Sequence, residues 1–452
     1  MKHRSVLILG AGPTGLGAAH RLTQLKNQDW LLIEKAATAG GLSRSVVDSQ
    51  GFTWDMGGHV VFSHYKQFDL FLDSLLQDQW LEHRRESSIW MCNRFIPYPL
   101  QNHIWRLPDE KRNLCLEGLR SAVHTKKQSK PKNFDEWLRS SFGDGLYKLF
   151  LEPYNSKVWA HPPHLLNTEW MSERVATIDL NKIEKSITYQ EDDLSWGPNS
   201  NFRFPRKGGT GAIWSALFKS LPIENFSMNE EVKSIDSKKK RVTTSKGKTY
   251  SYDFLVSTLP MNELLKRIED QSKPETGEEW IHSSTHVIGI GLKGEIPDFL
   301  KKKSWFYFPE SNCPFYRVTV FSNYSPSHVP DPAQHWSLLC EVSESKIKPV
   351  NSRQIIEEVT QGLKNVRFLN ADSTVVSRWS TRLEYGYPIP FVGRDLLLKN
   401  TQTWLKSKNI LSRGRFGGWK YEISNQDHSY MQGVEVVDFI VSGVPEKTYI
   451  TL

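Results

Sequence analysis

The segment that decides the fold is RSVLILGAGPTG, residues 4–15, near the amino terminus. Its first half is a short apolar run that ends at a glycine, which predicts a buried strand. Gly10, Gly12 and Gly15 match the pattern GxGxxG, whose glycines permit a tight turn, close approach to a pyrophosphate and close packing of helix on strand. Residues 17–25 predict that helix and residues 30–34 a second strand. The start of the chain is therefore predicted to be a Rossmann-type β-loop-α-β unit.

Glu34 strengthens this prediction, because it stands at the end of the second predicted strand. An acidic side chain at this position hydrogen-bonds a ribose hydroxyl of a bound dinucleotide. The amino terminus of the preceding helix faces the phosphate charge. A chance glycine turn would not be expected to have a strand before it, a helix after it and an acidic residue at this distance.

Length and composition restrict the class of protein. The chain has 452 residues, which usually means two or three domains. The hydrophobic fraction of 38% indicates a globular protein, and no run approaches the roughly 18 apolar residues that a membrane helix needs. No signal peptide is evident, so we expect a cytoplasmic protein without a membrane partner. The four scattered cysteines predict buried thiols rather than disulfides or a zinc site, and no metal is expected.

The formal net charge of +8 has two interpretations. Nucleic acid is one, but the basic residues are spread along the chain and no recognition module is present. The Lys-rich stretch 124–132 is better explained as a solvated loop. An anionic small substrate, or solubility alone, explains the charge better, so no nucleic-acid partner is expected. The 16 tryptophans suggest a pocket that stacks ring-shaped ligands.

Strand and helix patterns alternate along the rest of the chain. Residues 106–150 have helical periodicity, whereas 228–260, 284–294 and 304–323 have the alternation of strands. We therefore predict an α/β fold: a Rossmann-type FAD-binding domain, an inserted helical domain and an antiparallel-sheet substrate domain. The predicted boundaries are 1–85 with 202–262 and 405–445 for the first, 104–195 for the second, and 86–103 with 263–404 for the third.

FAD is favoured over NAD by the glycine pairs that follow Glu34. Gly40-Gly41-Leu42 and Asp55-Met56-Gly57-Gly58-His59 resemble the FAD-binding group that includes amine oxidases and protoporphyrinogen oxidase. In that group the second pair lies near the flavin ring, where a side chain would hold the backbone away. The segment YDFLVSTLP, residues 252–260, resembles the adenine-side strand of the same group.

The chain further resembles eukaryotic-type UDP-galactopyranose mutase over nearly its whole length. The matching blocks are GGHVVFSHY (57–65), PYPLQN (97–102), PYNSKVWA (153–160), SERVA (172–176), WGPN (196–199), FRFPRKGGTGAIW (202–214), SSTHVIGIG (283–291), NCPFYRVTVFSNYSP (312–326), EVSESKIKPVN (341–351), YGYP (385–388) and GRFGGWKYEISNQDHS (414–429). The resemblance implies interconversion of UDP-galactopyranose and UDP-galactofuranose without net redox change. N5 of reduced FAD would attack the anomeric carbon, and NADPH or NADH would serve only to reduce the flavin.

The resemblance also implies roles for individual residues. His59, Arg174 and Arg317 are the expected catalytic group, with the arginines on the diphosphate because a guanidinium pairs with phosphate oxygens bidentately. His59 would tune the region around flavin N5. The expected substrate contacts are Phe62, Tyr98, Gln101, Asn155, Trp159, Arg174, Asn199, Trp305, Tyr307, Arg317, Tyr387, Arg415, Tyr421 and Asn425. The expected FAD contacts are Gly10, Gly12, Pro13, Thr14, Gly15, Glu34, Gly41, Leu42, Ser43, Gly57, Gly58, His59, Val232, Arg415, Asn425, Gln426 and Ser429. Arg85 and Ser87 match contacts to the nicotinamide cofactor.

Three alternatives stay open at this point. Each arginine could be a surface ion pair, and each tyrosine or tryptophan a core ring. The scaffold also allows a flavin-dependent amine oxidase, although paired arginines and an amide-rich aromatic pocket suit a nucleotide diphosphate better. A flavin-bound relative without activity is the third. The sequence leaves the oligomeric state open.

Overall fold

A computed structural model describes residues 2–124, 130–171, 178–192, 200–274 and 280–450. The helices are α1 Pro13–Gln24, α2 Lys66–Leu76, α3 Asp109–His124, α4 Phe134–Leu146, α5 Glu152–Trp159, α6 Leu180–Tyr189, α7 Gly211–Ser220, α8 Met261–Arg267, α9 Ile355–Asn365, α10 Arg394–Ser407 and α11 Gln426–Ser442. The strands are β1 Lys2–Leu9, β2 Trp30–Ile33, β3 Ser45–Val47, β4 Thr53–Asp55, β5 Trp80–Arg84, β6 Ser87–Met91, β7 Arg94–Pro97, β8 Asn201–Pro205, β9 Phe226–Ser227, β10 Val232–Asp236, β11 Arg241–Thr244, β12 Thr249–Ser257, β13 His282–Lys293, β14 Trp305–Tyr307, β15 Arg317–Val320, β16 His335–Glu344, β17 Thr374–Pro388 and β18 Ile410–Ser412.

The first seven-stranded sheet is the nucleotide-binding sheet. Its order is β10-β11-β12-β1-β2-β9, with β18 beside β12, and β1 runs parallel to both β2 and β12. Side chains of β1 alternate between two cores: Val6 and Ile8 pack on one face, and Leu7 and Leu9 on the other. This alternation explains why the strand is apolar at every position from Val6 to Leu9, since both faces are covered. The predicted β-loop-α-β unit is confirmed, with the helix beginning at Pro13 rather than Gly17.

Four parallel strands of this sheet end at the same level. Leu9 is in register with Ile33 and with Ser257, and Ser257 is in register with Ser412. The loops that follow these strands therefore open at one edge of the sheet. In doubly wound sheets this carboxyl edge is where ligands bind.

The second seven-stranded sheet has the order β17-β13-β16-β15-β14-β6-β7. Its pairs are antiparallel, as expected, apart from β6 and β14, which run parallel with Trp305 opposite Ser87. The predicted antiparallel sheet thus contains one parallel pair. A hairpin turn forces antiparallel pairing, but β6 and β14 are joined by more than two hundred residues, so no turn fixes their direction.

A helical cluster packs beside the second sheet. The interruption predicted in 106–150 is confirmed, because α3 ends at His124 and α4 begins at Phe134; residues 125–129 of the Lys-rich stretch lie outside the described residues. Leu119, Leu138 and Phe142 belong to one core with Ile89 and Ile96 of the second sheet. The division into three domains stays a prediction. Across the described ranges, no helix is long and apolar enough to cross a membrane.

Candidate active site

A cavity of about 1040 Å³ opens at the carboxyl edge of the first sheet. Gly10, Glu34, Thr258 and Gly414, which follow the four strands that end in register, all line it. Its opposite wall comes from the second sheet, which contributes Arg317 and other residues of β13 to β17. Both sheets thus supply one site of about the size that ligand pockets usually have.

The glycine loop forms one end of the cavity. Gly10, Gly12, Pro13 and Thr14 line it, whereas Gly15 does not. A Cβ atom at Gly15 would lie 1.9 Å from the carbonyl oxygen of Gly10, so this glycine allows the helix to sit against the turn. Gly12 is the residue before α1. Because it has no side chain, the amino terminus of the helix stays open toward the cavity.

A second glycine turn lies against the first. A Cβ atom at Gly41 would lie 3.1 Å from Cα of Gly12, so the two backbones run side by side. Leu42, Ser43 and Val232 also line the cavity at this end. Two adjacent backbones without side chains form the kind of groove that a pyrophosphate occupies.

Glu34 joins the glycine loop to the second strand. One carboxylate oxygen accepts from the backbone N–H of Ala11 at 2.7 Å, and the other accepts from the N–H of Ala36 at 2.8 Å. A carboxylate has about four lone-pair positions, so each oxygen can still accept a hydroxyl proton from the cavity. This arrangement suits a ribose.

The Gly57-Gly58-His59 turn lies where the two sheets meet. Gly57 has φ of +143°, and the N–H of Gly58 donates to Oε1 of Glu341 at 2.7 Å. Nδ1 of His59 is buried without a hydrogen-bond partner among the described residues. Burial lowers the pKa of His59 to about 4, with Arg317 and Arg415 acting in the same direction and Glu341 opposing them. The imidazole is therefore neutral near pH 7.

Arg317 is held by Glu341, a residue that the sequence analysis did not single out. Nη2 of Arg317 donates to both carboxylate oxygens at 2.6 and 2.8 Å, and Nε donates to Oε1 at 3.0 Å. The Tyr316 hydroxyl donates to Oε2 at 2.5 Å. Nη1 of Arg317 has no bond to a described residue, so this edge of the guanidinium is available to an anion in the cavity.

Burial of Glu341 opposes its ionisation, but Arg317, the Tyr316 hydroxyl and the Gly58 amide outweigh burial and lower its pKa. The carboxylate is thus the anionic centre of a network that links the glycine turn to the cation. One sequence signal could have found it: Glu341 is a charged residue inside the otherwise apolar and neutral strand segment WSLLCEVS, residues 336–343.

The residues present fit FAD. Helix α11 begins at Gln426, and Asn425, Gln426 and Ser429 at its start line the cavity. Nε2 of Gln426 and Nδ1 of His59 are buried polar atoms without a partner among the described residues, and both belong to lining residues. Buried polar groups without protein partners need a ligand or water. The pyrophosphate groove and these unpartnered polar atoms, all in one cavity, fit the polarity of a flavin dinucleotide.

Aromatic side chains form the other half of the cavity. The rings of Tyr98 and Tyr307 lie 4.9 Å apart, and those of Tyr387 and Tyr421 lie 5.7 Å apart. The guanidinium carbon of Arg415 lies 5.0 Å from the Tyr387 ring centre. The predicted substrate contacts that line the cavity are Phe62, Tyr98, Trp305, Tyr307, Arg317, Tyr387, Arg415, Tyr421 and Asn425. Flat rings with hydroxyl groups and two cations suit a base and its phosphates.

The structure does not bring every predicted residue to the cavity wall. Gln101 is 5% exposed and Trp159 is 3% exposed, and both lie behind it. Within α5, Nδ2 of Asn155 donates to the Leu151 carbonyl at 2.8 Å, and its Oδ1 accepts from Nε1 of Trp159 at 3.3 Å. In this arrangement Trp159 supports the Tyr421 ring, 4.9 Å away, rather than facing the cavity.

Four further predicted residues are placed as follows. Arg85 lines the cavity and Ser87 does not. Arg174 and Asn199 lie outside the described residues.

Comparison with known proteins identifies the family to which the chain belongs. The family model of flavin-containing amine oxidoreductases matches residues 13–422. A crystal structure of reduced UDP-galactopyranose mutase is 48% identical, and the match covers 99% of this chain and 96% of that chain with a TM-score of 0.96.

Other solved structures share the fold alone. A putative protoporphyrinogen oxidase from Exiguobacterium sp. 255-15 is 15% identical over 97% of this chain and 98% of that chain, with a TM-score of 0.70. A variant of putrescine oxidase is 16% identical over 98% of this chain and 99% of that chain, with a TM-score of 0.62. From the family match and the extent of the identity, the chain belongs to the flavin-containing amine oxidoreductase family and, within it, to the family of UDP-galactopyranose mutase.

Proposed function

We propose that this protein interconverts UDP-galactopyranose and UDP-galactofuranose, as an isomerase of the eukaryotic type, with no net redox change. The observation that supports this most is the position of Arg317. Its Glu341 partner also binds the Gly58 amide, so a cation is fixed beside the glycine turn that faces the flavin site. A guanidinium there can donate to the oxygens of a diphosphate leaving group, whereas it offers no acceptor to an ammonium substrate.

When bound and reduced, FAD supplies the nucleophilic nitrogen N5. The chain's own residues then bind and orient the nucleotide sugar. We infer that Arg317 pairs with the diphosphate through Nη1, which has no described partner, while Glu341 keeps the guanidinium plane fixed. Arg174 is proposed to bind the same diphosphate. We propose that the same phosphates accept hydrogen bonds from the hydroxyl groups of Tyr307, Tyr387 and Tyr421.

His59 is proposed to act as a neutral hydrogen-bonding group beside the flavin. Because its pKa is lowered to about 4, the imidazole adds no positive charge at neutral pH. It therefore does not compete with Arg317 for the diphosphate. The orphaned Nδ1 is the atom available to a flavin or sugar group.

The remaining contacts are proposals of the same kind. Phe62 and Tyr98 are proposed to stack on the uracil ring, with Gln101, Asn155 and Trp159 supporting that pocket from behind. Trp305, Asn199, Arg415 and Asn425 are proposed to line the sugar and the flavin. NADPH or NADH is proposed as the reductant, with Arg85 and Ser87 as contacts, and the cytoplasm as the location.

The mutase assay tests this proposal. Enzyme reduced with dithionite under anaerobic conditions, given UDP-galactofuranose, is expected to form UDP-galactopyranose, and the same enzyme left oxidised is expected to form almost none. No conversion by reduced, FAD-loaded enzyme would overturn the proposal. Steady peroxide formation from an amine would instead support the amine oxidase alternative. Tight binding of UDP without turnover after reduction would support an inactive relative.

A further inference from the structure

Three side chains that the proposed reaction does not use meet beside the cavity: His64, Asp427 and His428. One ligand atom from each lies within 4.8 Å of the others. Nδ1 of His64 lies 2.7 Å from Oδ2 of Asp427, and Nδ1 of His428 lies 3.1 Å from Oδ1. The two imidazole ring centres are 4.7 Å apart. Two nitrogens and one carboxylate thus converge on a single point.

Hydrogen bonding explains only half of this cluster. The backbone N–H and Nδ1 of His64 both meet Oδ2 of Asp427, at 3.0 and 2.7 Å. In the other half, Nδ1 of His428 and Oδ1 of Asp427 lie 3.1 Å apart, but their geometry falls short of a hydrogen bond, and neither buried atom bonds to another described residue. Asp427 is 1% exposed and His428 is 8% exposed, so water cannot freely satisfy them.

The chemical types of the three side chains also suit a metal ion, because imidazole nitrogens and a carboxylate oxygen are ligands that Zn²⁺ accepts in proteins.

We propose that His64, Asp427 and His428 bind one divalent transition-metal ion of the Zn²⁺ class, through Nδ1, Oδ1 and Nδ1. Imidazole nitrogens and a carboxylate select such an ion over Mg²⁺ or Ca²⁺, which prefer oxygen ligands. Tetrahedral Zn²⁺ with bonds of about 2.0–2.1 Å places its ligand atoms about 3.3 Å apart. The His428–Asp427 contact of 3.1 Å is close to that value, whereas the His64–Asp427 contact of 2.7 Å would have to lengthen by about 0.6 Å, which a side-chain adjustment can supply. The His64 side chain is 28% exposed and leaves a path for the ion and for a water ligand.

The site would join two segments that both contribute to the cavity. His64 follows the Gly57-Gly58-His59 turn, and Asp427 and His428 lie in the first turn of α11 beside Asn425. A bound ion would fix these segments to each other. It should therefore stabilise the folded enzyme without taking part in the sugar chemistry, and the inference does not depend on the proposed substrate. The pattern escapes sequence analysis because His64 and Asp427 are 363 residues apart.

The test uses FAD-loaded enzyme without a polyhistidine tag, stripped with a chelator and dialysed against Zn²⁺ alone. We expect one equivalent of Zn²⁺ per chain. At a hundredfold excess over the Kd, the melting temperature should rise by about 3 °C. His64→Asn and His428→Asn should each weaken Zn²⁺ binding by at least about tenfold and abolish the shift in melting temperature. His64→Asn keeps the test decisive if the buried His428→Asn fails to fold.

His3→Gln is the matched control. His3 faces Asp253 at 3.4 Å in an exposed pair with no third ligand, so its loss should leave Zn²⁺ binding unchanged. Binding of less than one equivalent, or binding that neither His64→Asn nor His428→Asn weakens, would overturn the proposal. Equal loss of binding in His3→Gln would do so as well, since it would show dispersed surface binding.

Discussion

Replacing Glu341 by glutamine should destabilise the protein far more than an exposed glutamate would. The Glu341 side chain is 3% exposed and accepts hydrogen bonds from Arg317, Tyr316 and the Gly58 amide. Glutamine has nearly the same shape but no charge. The substitution therefore leaves the Arg317 guanidinium without its buried counterion and puts an amide N–H₂ group where only an acceptor fits.

The magnitude follows from the burial of the pair. Removing one partner of a fully buried ion pair costs about 3–5 kcal/mol. Arg317 is 23% exposed, so water compensates part of its charge, and glutamine keeps one acceptor oxygen. We therefore expect the free energy of unfolding to fall by about 2–3 kcal/mol.

Glu344→Gln is the matched control on the same strand. Glu344 also pairs with an arginine, Arg382, but the two side chains are 19% and 41% exposed. Its other partner is the His286 imidazole, whose Nε2 lies 3.0 Å from Oε2. A partly exposed pair of this kind contributes about 0–1 kcal/mol. Urea unfolding of both variants and the wild type, followed by tryptophan fluorescence, measures the difference between the two losses.

UDP provides a second measurement in the same experiment. In Glu341→Gln a bound diphosphate would become the counterion of Arg317, so UDP should raise the stability of this variant more than that of the wild type. Losses of stability that agree within about 0.5 kcal/mol for Glu341→Gln and Glu344→Gln would refute the reasoning. An equal effect of UDP on the stability of the variant and of the wild type would show that Arg317 does not pair with the diphosphate.

Three further predictions concern the site. Arg317→Ala should lower kcat/KM by about 100-fold or more, and near-normal kinetics would remove Arg317 from the diphosphate role. For His59, a pKa lowered from 6.5 to about 4 means that stability is fully present above pH 6.5 and is lost as the pH falls toward 4. Lowering the pH from 7.5 to 5 should therefore cost the wild type about 2 kcal/mol more than His59→Asn, and parallel pH profiles of unfolding would contradict this. Gly12→Ala should weaken FAD binding by about tenfold, because the new methyl group would hold the backbone away from the pyrophosphate. The apoprotein should lose little stability, since the nearest described neighbour of the new Cβ, Cα of Gly41, would be 4.0 Å away. Gly15→Ala should instead destabilise the apoprotein by about 1–3 kcal/mol, and the same effect from both substitutions would show that the two glycines do not differ in role.

The sequence was sufficient for the local parts of the fold. The apolar run before Gly10 and the glycine spacing predicted β1, the turn and α1, because each depends on residues close together in the chain. The parallel pairing of β6 with β14 could not be predicted, since no local turn determines which strands meet across two hundred residues.

The site was predictable in its residue types more than in its contacts. The sequence identified Arg317 but not its partner, because Glu341 is recognised only once β15 and β16 pair and bring the two residues opposite each other. The same limitation applies to Asn155 and Trp159. Their polar atoms bond to each other across one turn of α5, and only the packed structure shows that they lie behind the cavity wall.

The most direct test of the proposed reaction is the number of sugar molecules converted for each NADPH consumed. The enzyme is reduced anaerobically with a limiting, measured amount of NADPH and then given an excess of UDP-galactofuranose. If the flavin acts without net redox change, one reduction should support many turnovers, and the flavin should stay reduced throughout. Consumption of one reducing equivalent for each sugar converted, or reoxidation of the flavin in step with turnover, would contradict the proposed function.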